Sequence, residues 1–401
     1  MKKFTRRPDR GTNKHHLSRS GEHFDISHRL PVPTMTSPRH LSLDNAIVRR
    51  WAHWPHKTTS PYFPQFYGAL QPHGVVPVAT MGNKVGWLAT EQADVLHFHW
   101  PDSFWRRDFG RYLGRVRGIW NARAYLRTAK RAGLKIVWTV HNHDAHEGGD
   151  WLDVMGYRIL ADEADLIICH TRWSADAVVR TYRPTGALVI MSHGNMDGVY
   201  PEARPRSIVA AELGLDPERP IVSCLGYLRR YKGLELACQA VQHLQGEVQW
   251  LIAGPPRKGY NLQPLREVAS ALPNVVLIDR WTTNQEFADF AAASDAVLLP
   301  YTQVTTSGAL LAAWTLGSGV ICSDLPFFRE LIPEPSGAGR LFSANSSASL
   351  AEAIRSHVAI PREERIAAAI GQARKYSWAT CVGPVVEWIE RQRANGLSGM
   401  S

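Results

Sequence analysis

The sequence predicts an α/β protein of two parallel sheets facing each other across a cleft, and three observations carry that expectation. Short apolar runs alternate with amphipathic segments from about residue 45 onward. The alternation pauses near residue 204 and then resumes. A chain of 401 residues is also too long for one ordinary core and suits two.

Residues 1–44 carry Pro, Ser, His and Arg with little apolar periodicity, and read as a flexible basic leader. The first domain, 45–203, begins with the strand AIVRRWA and a helix over Phe63–Leu70, followed by the strand ADVLHFHW. A basic helical stretch and the strand KIVWTVH come next. The domain closes with a helix through Met155–Ala164, the strand DLIICH, a helix from Ser174 and the strand ALVIMSHG.

The stretch EARPRSIVAAELGLDPERP reads as a loop opening the second domain, 204–376. Its strands are IVSCLGY, VQWLIAG, NVVLID, DAVLLP and GVICS. Between them the pattern gives helices at Leu234–Leu244, Leu262–Ala271, Gln285–Ala293 and Ser307–Leu316. Strands separated by helices make parallel, doubly wound sheets, so each half is Rossmann-like. An amphipathic segment, Val382–Gln392 within 377–401, is expected to pack back toward the first domain. No repeat of solenoid period is present.

Composition narrows the function classes. With 44% hydrophobic and 20% charged residues, and no apolar run near the roughly 18 residues of a membrane span, the chain reads as globular. The charged N-terminus has no apolar stretch behind it, so a cytoplasmic location is expected. The five cysteines show no paired spacing and read as reduced thiols, and the histidines show no metal-ligand spacing, so no metal is expected.

Charge is concentrated between Asp102 and Lys135, where ten basic residues face two acidic ones and are interleaved with Phe104, Trp105, Phe109, Tyr112, Trp120 and Tyr125. That mixture suits an anionic membrane surface and predicts a peripheral protein on the inner face of the cell membrane. A solvated helix face and a nucleic-acid surface are the other readings of such a stripe, and nucleic acid is not the expected partner.

Open parallel sheets bind ligands beyond the carboxyl ends of their strands, so the loops there carry the chemistry. Neither G-x-G-x-x-G nor G-x-x-x-x-G-K-[ST] occurs, which argues against dinucleotides and phosphoryl transfer. Gly226-Tyr-Leu-Arg-Arg-Tyr-Lys-Gly233 instead places Arg229 and Lys232 after a strand and before a helix, where a diphosphate would sit. The second loop, Pro300 to Ala309, offers Tyr301, Thr306, Ser307 and Gly308 at a helix N-terminus, a second anion cradle on the same sheet edge. Either loop alone could be ordinary surface charge or ordinary capping.

Several motifs occur together in order: Ser60-Pro-Tyr-Phe, Asp94 to Asp102 (DVLHFHWPD), Thr139-Val-His-Asn, His146-Glu147, Ser192-His-Gly-Asn195, Gly226 to Gly233, and Pro300-Tyr with Ser307-Gly308. From about residue 45 to the end, this set resembles bacterial GT-B glycosyltransferases, in particular the β-mannosyltransferases of xanthan-type exopolysaccharide assembly. The resemblance implies a hexosyltransferase that takes mannose from GDP-mannose to a polyprenyl-diphosphate-linked glycan with inversion, using no cofactor. Retaining members of the wider group carry a pair of glutamates near the last loop. The matching positions here, Val304 and Ala312, are not carboxylates, which fits inversion. Arg230 and Ala145 stand where the related sequences tend to have proline.

Inverting transfer needs a base for the acceptor hydroxyl and a clamp on the departing nucleoside diphosphate. The base is expected from the first domain, where His141-Asn-His-Asp-Ala-His-Glu147 is rich in proton acceptors. Glu147 is the preferred candidate on the resemblance, with Asp144 and His146 as rivals; the same side chains could serve only to tie down a loop. Trp100, Asp102 and His141 are the expected acceptor-binding residues. Three readings remain beside mannosyl transfer: transfer from a UDP-hexose, nucleotide-sugar epimerisation on the same scaffold, and a basic nucleic-acid- or membrane-binding protein without catalysis.

Overall fold

The computed structural model describes residues 49–55, 60–78, 93–106, 112–142, 149–332 and 334–398. The basic leader therefore lies outside the described residues. Two six-stranded sheets, all pairings parallel, form the framework. The first contains β1 (Arg49–Trp54), β2 (Val75–Pro77), β3 (Val95–Phe98), β4 (Lys135–Val140), β5 (Leu166–Cys169) and β6 (Ala187–Ile190), in the order β2-β1-β3-β4-β5-β6. The second contains β7 (Ile221–Leu225), β8 (Gln249–Ala253), β9 (Val275–Ile278), β10 (Ala296–Leu299), β11 (Gly319–Ser323) and β12 (Gly339–Phe342), in the order β12-β11-β10-β7-β8-β9.

Central strands such as β3, β5, β7, β8, β10 and β11 are buried at every residue, because helices cover both faces of each sheet. The first sheet carries α1 (Tyr62–Leu70), α2 (Asp102–Arg106), α3 (Tyr112–Arg131), α4 (Trp151–Glu163) and α5 (Arg172–Tyr182). Helix α1 buries Tyr62, Phe63, Phe66, Tyr67 and Leu70, one stripe at helical spacing. Alternate residues of β4 part to opposite faces: Ile136, Trp138 and Val140 meet α3 and α4, while Val137 meets the aromatic face of α1. Helix α4 starts four residues before the expected Met155, because Asp150 and Asp153 form a capping box.

Five elements described in the second half were not expected. The presumed loop after residue 203 contains α6 (Arg206–Glu212), fixed by Arg206 donating to Asp295 at 2.8 Å. After α7 (Leu234–His243), α8 (Gln263–Ala271), α9 (Asn284–Ala293) and α10 (Gly308–Thr315), the chain forms α11 (Pro326–Leu331) and adds β12 at the sheet edge. It then builds α12 (Ser347–Val358) and α13 (Arg362–Arg374).

Past α14 (Trp378–Cys381), helix α15 (Gly383–Ser398) lies on the first sheet, burying Val385, Trp388 and Ile389 with Trp51 and Phe66. The two halves are tied where the chain crosses between them: Asn195 N–H donates to Tyr376 O at 2.7 Å, and Trp378 Nε1 donates to Asn195 O at 2.8 Å. On another side the Glu330 carboxylate accepts from the backbone N–H groups of Arg172 and Trp173, at 2.9 and 2.5 Å.

Candidate active site

Strand β7 is followed by Gly226, whose φ of +83° turns the chain there. The following loop closes with a short 3-10 turn, Arg230–Lys232, and Gly233. Lys232 folds inward and donates from Nζ to Leu225 O at 2.8 Å, with its ammonium 5.9 Å from the centre of the Tyr301 ring. It is buried, and desolvation pushes its pKa down to about 8; the neighbouring Arg229 pushes the same way. An ammonium with one carbonyl partner and donors to spare is a ready anion site.

The second loop is knitted to the first, since Thr302 N–H donates to Tyr231 O at 2.8 Å. Ser307 caps α10, its Oγ accepting from Leu310 N–H at 3.3 Å. That bond leaves the first backbone N–H groups of the helix pointing outward at the positive end of its dipole. Thr306 Oγ1 is buried with no partner among the described residues.

Opposite stands a wall of imidazoles. His99, His141 and His170 each follow directly on β3, β4 and β5, so the spacing between neighbouring strands brings them together. His99 Nδ1 and His141 Nε2 share a hydrogen bond of 3.1 Å, and His170 Nδ1 donates to Met191 O at 2.8 Å. His97, on β3 itself, is held between Tyr67 Oη and Thr139 Oγ1, each at 2.8 Å. The Tyr62 ring stands edge-on among His99, His141, His170 and His193, with centroids 4.7 to 5.6 Å away.

Burial pushes four of these rings toward the neutral form: His97 and His99 well below the usual range, His170 to about 3 and His193 to about 4. Among the described residues no set of three His, Cys, Asp or Glu is arranged to hold a metal ion.

The two walls enclose a cavity of about 360 Å³. Tyr62, Trp100, His141, Asn142 and His193 line it from one side, and Gly226, Lys232, Thr306, Gly308 and Ala309 from the other. Of the residues singled out in the sequence, Gly226, Lys232, Thr306, Gly308, Trp100 and His141 thus share one space. Trp100 stacks on His141 at 4.5 Å, presenting a flat apolar surface.

Ser307 lies buried beside the cavity as a helix cap, and Tyr301 lies buried in the core beneath Lys232. Arg229 and Asp102 are not among its lining residues. The Arg229 guanidinium sits over the Tyr227 ring at 5.2 Å, and Asp102 pairs with Arg106 at 3.8 Å at the start of α2. Asp144, His146 and Glu147 lie outside the described residues; Asn142, at the cavity edge, is the last described residue before them.

His193, Tyr62, Met196, Tyr200 and Phe287, which have no expected role in the sequence, also line the cavity. The signal for the first two was visible in the Ser192-His-Gly-Asn195 and Ser60-Pro-Tyr-Phe motifs.

The basic segment is partly spent on the protein itself. Arg106 and Arg115 both grip Asp153, the latter at 3.0 Å, and Arg127 pairs with Glu163 at 3.1 Å. Lys135 pairs with Asp165 at 3.6 Å. Trp105 is buried and donates to Asp153 at 3.1 Å, which corrects the expectation that it serves a membrane surface. Trp120 is 62% exposed, as Trp151 is at 54%. No helix among the described residues is long and apolar enough to cross a membrane.

Residues 219–359, the bulk of the second half, match the family model of Glycosyl transferases group 1. The α-maltose-1-phosphate synthase of Mycolicibacterium smegmatis is 27% identical over 239 residues, covering 55% of this chain and 62% of that protein. The GDP-mannose:glycolipid 4-β-D-mannosyltransferase of Xanthomonas campestris pv. campestris is 26% identical over 269 residues, covering 67% and 70%. The chain therefore spans under two thirds of the first relative's length and slightly more of the second's.

Among solved structures, Anabaena HepE in complex with UDP superposes with a TM-score of 0.66 at 14% identity, covering 86% of this chain and all of that one. Sucrose-phosphate synthase from Thermosynechococcus elongatus gives 0.64 at 14%, covering 88% and 100%. The fold is GT-B, two Rossmann-like sheets with a cleft between them. The second half of the chain carries the sequence pattern of Glycosyl transferases group 1.

Proposed function

We propose that the chain transfers a hexose from a nucleotide sugar, GDP-mannose first among the donors, with inversion, to a lipid-linked glycan at a membrane surface. The observation that carries this reading is the buried Lys232 beside the open N-terminus of α10, facing an aromatic and imidazole wall across one cavity. A diphosphate fits the first wall, since its charge restores what the buried ammonium lost on leaving water. A sugar fits between the walls, with Trp100 as a stacking surface. The mannosyltransferase relative supports the donor and the acceptor class. A UDP-hexose donor is the second reading, supported by the HepE complexes with UDP; an epimerase would need no acceptor.

In the proposed step the acceptor oxygen attacks the anomeric carbon from the face opposite the diphosphate. The hydroxyl proton passes to a base, and the leaving diphosphate takes the bonding electrons under the charge of Lys232 and the α10 N–H groups. The test is protection against thermal unfolding by GDP, UDP and their hexose conjugates, with product analysis in the presence and absence of glycolipid. Protection should vanish at the same ligand concentration in Lys232→Met. Equal protection of both proteins would remove Lys232 from the site, and sugar turnover independent of acceptor would favour the epimerase.

Glu147 is the proposed base. Glu147→Gln should bind the donor normally while turnover drops by about two orders of magnitude, the usual scale for a positioned base. Near-normal turnover, with Asp144→Asn inactive instead, would move the role to the other carboxylate.

Membrane docking is proposed through exposed Arg117, Arg131 and Trp120 of α3 rather than Arg106 and Arg115, which fasten α4. Two arginines at an anionic surface contribute about 2 kcal/mol, so changing both to Gln should weaken vesicle binding by roughly thirtyfold. Sedimentation with phosphatidylcholine vesicles, with and without phosphatidylserine, measures this. Unchanged binding would assign the stripe to solubility.

A further inference from the structure

One imidazole of the wall turns its second nitrogen into the cleft. His193 is 8% exposed and lines the cavity. Its Nδ1 donates to Gly194 O at 2.6 Å, which fixes the tautomer and leaves a lone pair on Nε2. Nε2 has no hydrogen-bond partner among the described residues. A Cβ placed on Gly308 would stand 3.9 Å from it, so this nitrogen looks across the cleft at the N-terminus of α10. The ring cannot easily turn away, because Tyr62, His170 and Trp378 surround it at 5.1 to 5.7 Å.

A neutral imidazole nitrogen with a lone pair can only accept a hydrogen bond. Diphosphate oxygens can only accept as well, so the anion expected at Lys232 and α10 cannot satisfy it. Its partner must carry an O–H or N–H and must lie between His193 and the phosphate cradle. On a nucleotide sugar, the group in that position is the sugar. We propose that His193 is a specificity-determining residue, its Nε2 accepting a hydrogen bond from a hydroxyl of the transferred hexose.

The inference rests on the nucleotide-sugar reading above. It explains why an imidazole with a solvent-side nitrogen is kept neutral: burial holds its pKa at about 4, and a proton there would remove the acceptor. It also separates His193 from the base, which must meet the acceptor hydroxyl rather than the donor.

The experiment is calorimetric titration of the full chain and of His193→Phe, His193→Leu and His193→Gln with GDP, GDP-mannose, UDP and UDP-glucose. Phe and Leu differ in shape but share the lost acceptor, while Gln keeps one in Oε1. Nucleoside diphosphate affinity should stay within about twofold in all three, and nucleotide-sugar affinity should weaken about tenfold in the Phe and Leu variants, the scale of one hydrogen bond. His193→Gln should recover most of the loss. An unchanged ratio of sugar-nucleotide to diphosphate affinity in the Phe and Leu variants overturns the proposal, as does equal weakening of both ligands. Failure of the parent chain to bind any of the four removes the nucleotide-sugar reading and the inference with it.

Discussion

Between pH 7.5 and 5.5 the protein should lose about 7 kcal/mol of stability, read as a falling urea midpoint, because five buried imidazoles refuse protons that the unfolded chain accepts. His97, His99, His170 and His193 all have folded pKa values depressed by burial, with His170 near 3 and His193 near 4. Above the unfolded value of about 6.5 both states are neutral and stability is full. Below it the unfolded chain binds protons and the folded chain does not. Stability then falls with pH until the folded values are reached, at about 1.4 kcal/mol per pH unit for each ring.

The paired carboxylates cannot produce this window. Asp153, held down by Arg106 to about 2, and Asp295, lowered by Arg206, lose their contribution only in stronger acid. His357, buried in the second half and depressed to about 4, adds a fifth ring. Total stabilities of domains are about 5 to 15 kcal/mol, so the loss is large enough to unfold the chain near pH 5. A urea midpoint flat from pH 7.5 to 5.5 would show that these rings are protonated in the fold.

The same histidines show what was legible in the sequence and what was not. The strands announced themselves because parallel strands covered on both faces are continuous apolar runs, as in LIIC of β5 or AVLL of β10. The two loops that line the cavity from the second sheet were legible because glycine and cations at a strand-to-helix turn have a local meaning. The imidazole wall has none. His99, His141 and His170 stand 42 and 29 positions apart along the sequence, and only the order β3-β4-β5 makes them neighbours. The pattern of a histidine directly after each of three apolar strands was present, but its meaning depends on adjacency that sequence spacing does not give. Helix α6 was hidden for a different reason. Its segment is short and begins after Pro205, and its stability comes from Arg206 reaching Asp295, 89 residues away. The basic stripe read as one surface because charge is visible in sequence while its partners are not; Asp150 and Asp153 claim Arg115 from the next helix.

Gly233→Ala should cost about 3 to 5 kcal/mol and take donor binding with it, because this residue is where the two proposed phosphate loops meet. Its φ of +64° is a conformation that L side chains adopt at a cost of about 1 to 2 kcal/mol. The larger part is steric: an added Cβ would stand 1.9 Å from the carbonyl oxygen of Pro300, a backbone atom that cannot step aside as a flexible side chain would. Relief requires the loop of residues 226–233 to move away from Pro300. That movement strains the bond from Thr302 N–H to Tyr231 O and shifts Lys232 from its place over the Tyr301 ring. Gly259 supplies the control, with φ +85° but nothing within 4 Å of its Cβ position. Gly259→Ala should therefore cost only the conformational part, about 1 to 2 kcal/mol, and leave nucleoside diphosphate affinity intact. Urea unfolding of the two variants with GDP and UDP titrations measures both effects. Equal destabilisation by the two substitutions, or unchanged ligand affinity in a folded Gly233→Ala protein, would show that the two loops are not held in register at this point.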